Sequence, residues 1–306
     1  MTPPQGTLPI ERMCALTGVS RASYYRHWRH VAPRREQTEL RHVLQRLAVG
    51  HRHYGYRRLS VLLRREGWAV NHKRVLRLMR TDNLLCLRRR AFIPATTDSR
   101  HEWRVVPNLA RGMQVTGLDQ LWVADITYLR LLEEFAFLAV VLDAFSRRVI
   151  GWAVERHLRA GLAVAALEMA LAARRPQSGQ LIHHSDRGVQ YACGEYSALL
   201  ATHGIQPSMS RIGSPYDNAK AESFMSTLKR EEVDGRAYRD AGEARRSIGT
   251  FIEEVYNRQR LHSALSYLAP ADFEATVAVP RPEQHAVNDA RRETVTSLDF
   301  HGPEFA

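Results

Sequence analysis

The stretch QLWVADITYLRL, Gln120 to Leu131, decides the fold. It is rich in β-branched and aromatic residues, which suit a pleated and half-buried surface. Short gaps join it to EFAFLAVVLDAFS (Glu134–Ser146) and RRVIGWAVE (Arg147–Glu155). Three strands with such short connections read as an antiparallel meander. The first two runs are almost continuously apolar, so the sheet is expected to be covered on both faces. One acid, Asp125, stands in the middle of the first run. Side chains alternate along a strand, so Asp125 shares a face with Val123 and Thr127. A carboxylate there is costly to bury unless it is paired or binds a metal.

Beyond the meander, Leu158–Arg175 reads as an amphipathic, alanine-rich helix. QLIHHSD (Gln180–Asp186) is a short buried strand ending in an acid, and GEYSALLATHG (Gly194–Gly204) is a helix with a glycine stop. IQPSMS (Ile205–Ser210) is a brief strand. RIGSPYDNAKAESFMSTLKRE (Arg211–Glu231) is a turn and a helix that starts at Asp217–Asn218 and carries Glu222 one turn inside. Helical connections between the later strands imply a parallel part to the sheet. The order of elements is that of a ribonuclease-H-like α/β layer: a mixed five-stranded sheet with flanking helices.

Sites in open α/β sheets collect where strands end, as Asp186 does. If the first and fourth strands are neighbours, Asp125 and Asp186 meet, and a helix returning across that edge supplies Glu222. Clustered carboxylates repel one another, and divalent cations remove the repulsion. Oxygen-only ligands suit Mg2+ or Mn2+. Two such ions about 4 Å apart activate a water or hydroxyl and stabilise the leaving oxygen of an in-line attack on phosphorus. Asp125, Asp186 and Glu222 are therefore the candidate catalytic residues and metal ligands. Each alone has a plain structural reading: an Arg partner for Asp125, a turn cap for Asp186, a solvated face for Glu222. Asp143 ends a strand before a turn and is read as structural. Asp217 is read as the cap of the Glu222 helix. His184 alternates onto the Asp186 face, near the expected ions, whereas His183 reads as a core histidine.

Charge bears on the partner. The formal net charge is +12. Residues 1–117 hold 23 Arg/Lys against 7 Asp/Glu, whereas residues 118–306 hold 21 against 25. A positive field confined to the front third implies a polyanion, nucleic acid above all. IERMCALTGVSRASYYRHW (Ile10–Trp28) has the punctuation of a helix-turn-helix. Gly18 takes the left-handed turn position, Val19 plugs the core, Ser20 caps the second helix and Tyr24 packs inward. Arg21, Ser23 and Arg26 then face a groove. After a linking helix over 36–50, residues 51–85 repeat the theme. Leu59, Leu62 and Leu63 form an apolar stripe, Gly67 ends the helix and Asn71 caps the next. That helix carries Lys73, Arg74, Arg77 and Arg80 around a stripe of Val75, Leu76 and Met79. Residues 86–117 lose periodicity and read as a basic linker. Two readings stand for its Arg88, Arg89 and Arg90: phosphate contacts or a solvated run.

No apolar run approaches the roughly 18 residues of a membrane span, and no signal peptide is visible. His51 and His53 have no cysteine pair at zinc-ligand spacing. Cys14, Cys86 and Cys193 fit reduced thiols of a cytoplasm.

WVADITYL, HHSDRGVQY, GSPYDNAKAESF and YNRQRLHSALSYLAPADF together resemble the integrase-core transposases of bacterial insertion sequences, of the type encoded by a second reading frame and related to retroviral integrases. The resemblance runs over about residues 40–275 and implies that Asp125, Asp186 and Glu222 are a DDE triad. It implies DNA-positioning roles for Asn218 and Lys229, and a flexible stretch at Arg187, Gly188, Gln190 and Tyr191. Tyr256, Asn257, Arg258, Arg260 and His262 match a closing motif that packs on the core and touches DNA. The activity implied is Mg2+-dependent 3′-end cleavage and strand transfer, with terminal inverted repeats and target DNA as substrates. Two DNA ends must be held together, which implies a dimer or larger assembly, with or without a first-frame product. A bacterial cytoplasm follows, on the nucleoid when bound. The expected domains are a helix-turn-helix (1–30), a helical unit with a second one (31–85), the linker (86–117), the catalytic core (118–275) and a loosely held tail (276–306). Two alternatives share these residues: a nuclease or resolvase that cuts without joining, and a DNA-binding regulator with an inactive core.

Overall fold

A computed structural model describes residues 9–28, 35–86, 106–211, 215–234 and 236–278. The chain divides into two compact units, residues 1–87 and 88–306.

The first unit is helical: α1 (Ile10–Thr17), α2 (Arg21–Trp28), α3 (Arg35–Gly50), α4 (Tyr56–Arg65) and α5 (His72–Thr81). Gly18 ends α1 with φ 64°, a conformation that costs glycine least. The Ser20 hydroxyl accepts from the Ser23 N–H at 3.1 Å, as expected of a cap. Val19 does not plug a core. It is 41% exposed, and it is its backbone N–H that closes α1 by bonding the Cys14 carbonyl. Asn71 caps α5 through the Lys73 N–H at 2.8 Å. Leu40 and Leu44 of α3, Leu59 and Leu63 of α4, and Val75 and Met79 of α5 are fully buried. Each such side chain stabilises the packing by about 1.5–3 kcal/mol. Leu78, not Leu76, completes the α5 stripe, because it lies one turn on from Val75.

The second unit is a five-stranded sheet with strands β1 (Leu121–Arg130), β2 (Phe135–Asp143), β3 (Val149–Glu155), β4 (Ile182–Ser185) and β5 (Gln206–Met209), in the order β3-β2-β1-β4-β5. The meander β1–β3 is antiparallel, and β4 and β5 run parallel to β1. This is the ribonuclease-H-like layer, with helices on both faces. One face carries Trp122, Ala124 and Val141 under α6 (Ala160–Arg174), α7 (Val189–Ala192) and α8 (Gly194–Thr202). The other carries Val123, Val140 and Leu142 under α9 (Ala219–Leu228) and α10 (Ala241–Thr250). A Cβ on Gly151 of β3 would sit 2.1 Å from the Ala166 carbonyl of α6, so only glycine lets that helix lie this close.

Asp143 is structural, as read. Fully buried, it accepts from the N–H groups of Asp119, Phe145 and Ser146 and ties the β2–β3 turn to the entry of β1. The closing segment packs on the core. Asn257 clips edge strand β3 through both the N–H (3.0 Å) and the C=O (2.9 Å) of Val149. Tyr256 stands edge-on to Phe224 and to His262. The last described helix, α11 (Pro270–Ala278), runs past the expected core boundary at 275. Its Glu274 pairs with both Arg148 and Arg174.

Candidate active site

β1 and β4 are hydrogen-bonded neighbours with Leu121 opposite Ile182 and Val123 opposite His184. Two residues further on, past the end of the ladder, the same register brings Asp125 level with Asp186. Asp125 turns to the face covered by α9, as the alternation requires. Its Oδ1 accepts from the Ile126 N–H at 2.9 Å. Asp186 follows β4 directly, and its Oδ1 accepts from the Gly188 N–H at 2.9 Å.

Glu222 reaches this edge on the first turn of α9. Asn218, at the start of that helix, donates its amide N–H to the Ala124 carbonyl at 2.9 Å. The helix is thus pinned beside the residue before Asp125, and Ala221, Phe224, Met225 and Leu228 bury its inner face. A single π turn, Lys229–Val233, follows. The Lys229 ammonium lies 4.6 Å from the centre of the Tyr128 ring, a cation–π contact.

Electrostatics tie these groups together. Burial and the charges of Asp186 and Glu222 push the Asp125 carboxyl up to about 7, against the pull of the Ile126 N–H and Lys229. Burial raises the Glu222 carboxyl. Burial lowers the Lys229 ammonium, with Asp125 and Asp234 acting in the opposite sense. Asp125 is therefore the hub, close enough to feel both other acids. Among the described residues, no three His, Cys, Asp or Glu side chains stand tightly enough to enclose an ion. The donor chemistry nevertheless fits a hard dication: an all-oxygen set around a half-buried acid whose carboxyl is pushed up by desolvation and by the neighbouring acids. A bound cation reverses each of those unfavourable interactions.

Several expected roles are corrected. Asn218 is only 6% exposed, and its amide holds the start of α9 on β1. Arg260 is likewise buried, bonding Glu231 at 2.9 and 3.1 Å. Asp217 does not cap α9. Its carboxylate accepts from the Arg211 backbone N–H and guanidinium, all at 3.0 Å, and fixes the turn. His184 lies on the Asp186 face and feels that charge, as expected. Both ring nitrogens are taken, by Ser208 at 2.8 Å and Ser210 at 3.0 Å. His183 is a satisfied core histidine, bonded to the Tyr196 hydroxyl at 2.9 Å.

Of the other expected DNA contacts, Lys73 and Arg77 are exposed on α5 and Arg74 is half-buried. Arg21 pairs with Glu11, and Arg258 with Glu254, both at the surface. Arg88, Arg89 and Arg90, and the side chains of Tyr24 and Arg26, lie outside the described residues. Tyr128 was not legible as part of the site. The alternation that places Asp125 puts it on the opposite face, and the Lys229 ammonium over its ring is a contact that no local pattern announces.

Comparison with known proteins agrees with this architecture. Two integrase core domain models match residues 116–215 and 203–270, and an HTH-like domain model matches residues 34–92. The chain is 40% identical over 266 residues to a 31 kDa protein of insertion element IS600 from Shigella sonnei, covering 85% of this chain and 97% of that one. It is 37% identical over 277 residues to the transposase InsF of insertion sequence IS3A from Escherichia coli K12, covering 88% and 95%. A simian T-cell lymphotropic virus intasome chain aligns over 78% of this chain and 77% of its own at 16% identity and a TM-score of 0.44. The chain belongs to the insertion-sequence transposases with an integrase core domain.

Proposed function

We propose that this transposase binds the ends of its element and performs metal-dependent 3′-end cleavage followed by strand transfer, with Asp125, Asp186 and Glu222 as the catalytic acids. The observation that supports this reading is the convergence of their elements: the β1–β4 register brings Asp125 level with Asp186, and Asn218 holds the turn that carries Glu222 on the residue before Asp125. A pair of Mg2+ or Mn2+ ions held by these carboxylates would polarise the scissile phosphate and lower the pKa of the attacking water or hydroxyl. Asp125, Asp186 and Glu222 would together hold the ions. Asn218 keeps Glu222 in register with Asp125. Lys229, steadied on Tyr128, offers a positive charge to a phosphate beside the acids. Cleavage and joining are the same in-line substitution at phosphorus with different oxygen nucleophiles, so no side chain need become covalently attached to DNA.

The helices of residues 1–30 and 31–85 are assigned to the terminal inverted repeats, with residues 86–117 as a basic linker and 118–275 as the catalytic core. Two ends must be handled together, so the working form on DNA is a dimer or larger. The test is incubation with duplexes of the element ends. Mg2+ should support cleavage and joining, and Ca2+ binding alone. Asp125→Asn should bind the ends normally and lose both reactions by at least a thousandfold. Cleavage without joining would point to a nuclease, and full activity in Asp125→Asn would overturn the assignment.

A further inference from the structure

Tyr191 is a buried residue of α7 to which the reaction assigns no role. Its side chain is 4% exposed, and its hydroxyl finds no hydrogen-bond partner among the described residues. Most buried hydroxyls are satisfied, so an exception calls for an explanation. The surroundings supply one. The turn from Asp186 to Tyr191 is closed by two bonds on Gly188: its N–H donates to Asp186 Oδ1 at 2.9 Å, and its C=O accepts from the Tyr191 N–H at 3.0 Å. A Cβ on Gly188 would lie 3.0 Å from Asp186 Oδ1 and 3.7 Å from the Tyr191 ring, so the carboxylate and the ring flank the same bare Cα. The ring is fixed from its far side by Tyr196, edge-on at 5.3 Å, and Tyr196 is itself bonded to His183 of β4. Burial, Tyr196 and then the charges of Asp186 and Asp125 push the phenol well above its ordinary range, so it stays a hydrogen-bond donor.

A second unsatisfied atom flanks the same acids. Asn218 Oδ1 is buried without a partner among the described residues, although the other end of that amide holds the Ala124 carbonyl. A spare donor on the α7 side and a spare acceptor on the α9 side of the strand end that carries the acids are what a hydrated cation and its carboxylates would use.

We infer that Tyr191 is a positioning residue of the acid site, its hydroxyl donating to the carboxylate–cation shell at Asp186 and Asp125 and holding Asp186 in the ligating orientation. The inference rests on the assignment of the acids as metal ligands. Partners of this kind commonly change metal affinity by 10–100-fold. The test uses the full-length protein and Mn2+ alone, without DNA, comparing wild type, Tyr191→Phe and Asp125→Asn by calorimetric titration and thermal melting. Tyr191→Phe keeps the ring and its packing on Tyr196. It should bind Mn2+ about tenfold more weakly, yet melt in metal-free buffer at the wild-type temperature or above it, since it removes only an unsatisfied hydroxyl. A purely structural tyrosine would lower the melting temperature and leave Mn2+ affinity alone. Equal Mn2+ affinity in wild type and Tyr191→Phe would overturn the inference while leaving the acid site intact. Equal affinity in wild type and Asp125→Asn would overturn the acid site, and this inference with it.

Discussion

At the scale of the residue, Asp125 has a cost that can be measured without any DNA. The fold keeps its carboxyl protonated up to about pH 7, against 3.8 for an ordinary Asp. The sign follows from proton linkage. Below pH 4 the group is protonated in both the folded and unfolded chain and costs nothing. Between pH 4 and 7 the unfolded chain releases the proton and the folded one keeps it, so stability falls as pH rises. Above pH 7 the penalty is complete, on the order of 4 kcal/mol at most from about 1.36 kcal/mol per pH unit. Asp125→Asn removes it. In metal-free buffer the variant should therefore melt above wild type at pH 8, and the gap should shrink towards pH 5. Melting curves that stay parallel across that range would show that Asp125 does not carry the proton. The same linkage makes metal uptake improve as pH rises through 7, because the cation displaces that proton.

At the scale of the element, the decisive contact is between α9 and β1. The β1–β4 ladder ends at Val123 and His184. The Ala124 carbonyl lies beyond it, and the Asn218 amide supplies a donor there. Asn218→Ala should cost about 1–3 kcal/mol of stability and lower cleavage by about a hundredfold through displacement of Glu222, while Asn218→Asp, which lacks the amide donor, should rescue neither. Denaturant melts and cleavage rates read the two effects separately, and a variant with wild-type cleavage would show that Glu222 needs no such anchor. Much of this layer was legible in the sequence. Strand composition marked β1–β3, and the Gly stop and helix periodicity framed the short strands β4 and β5. The pairing of β1 with β4 was only a condition of the argument, because register lies in no local pattern. The role of Asn218 was hidden for the same reason: it depends on where another strand stops pairing. Asp217 in a turn before a helix has the local look of a cap, and nothing in the sequence announces that Arg211 would claim it. His184 was correctly placed on its face, but its two serine partners sit on and just after β5, a strand away.

At the scale of the whole molecule, the charge distribution separates binding from chemistry. The basic excess belongs to residues 1–117, and the remainder of the chain is slightly acidic. A slightly acidic region has no surplus with which to attract a polyanion, so affinity for DNA should come from the front helices. Phosphate contacts release counterions, and each one adds about 0.9 to the slope of log affinity against log salt. Lys73 and Arg77 stand exposed on α5, and we assign such contacts to them. Lys73→Ala with Arg77→Ala should weaken binding to element ends and to random duplex alike and lower the slope by about 2. Asp125→Asn should leave the slope unchanged. Titration of labelled duplex from low to moderate salt, in Ca2+ to prevent cleavage, measures both. A double variant with an unaltered slope would move the phosphate contacts off α5. If the loss fell on element ends alone, the same two side chains would be reading base edges, since contacts to phosphate carry no sequence information of their own.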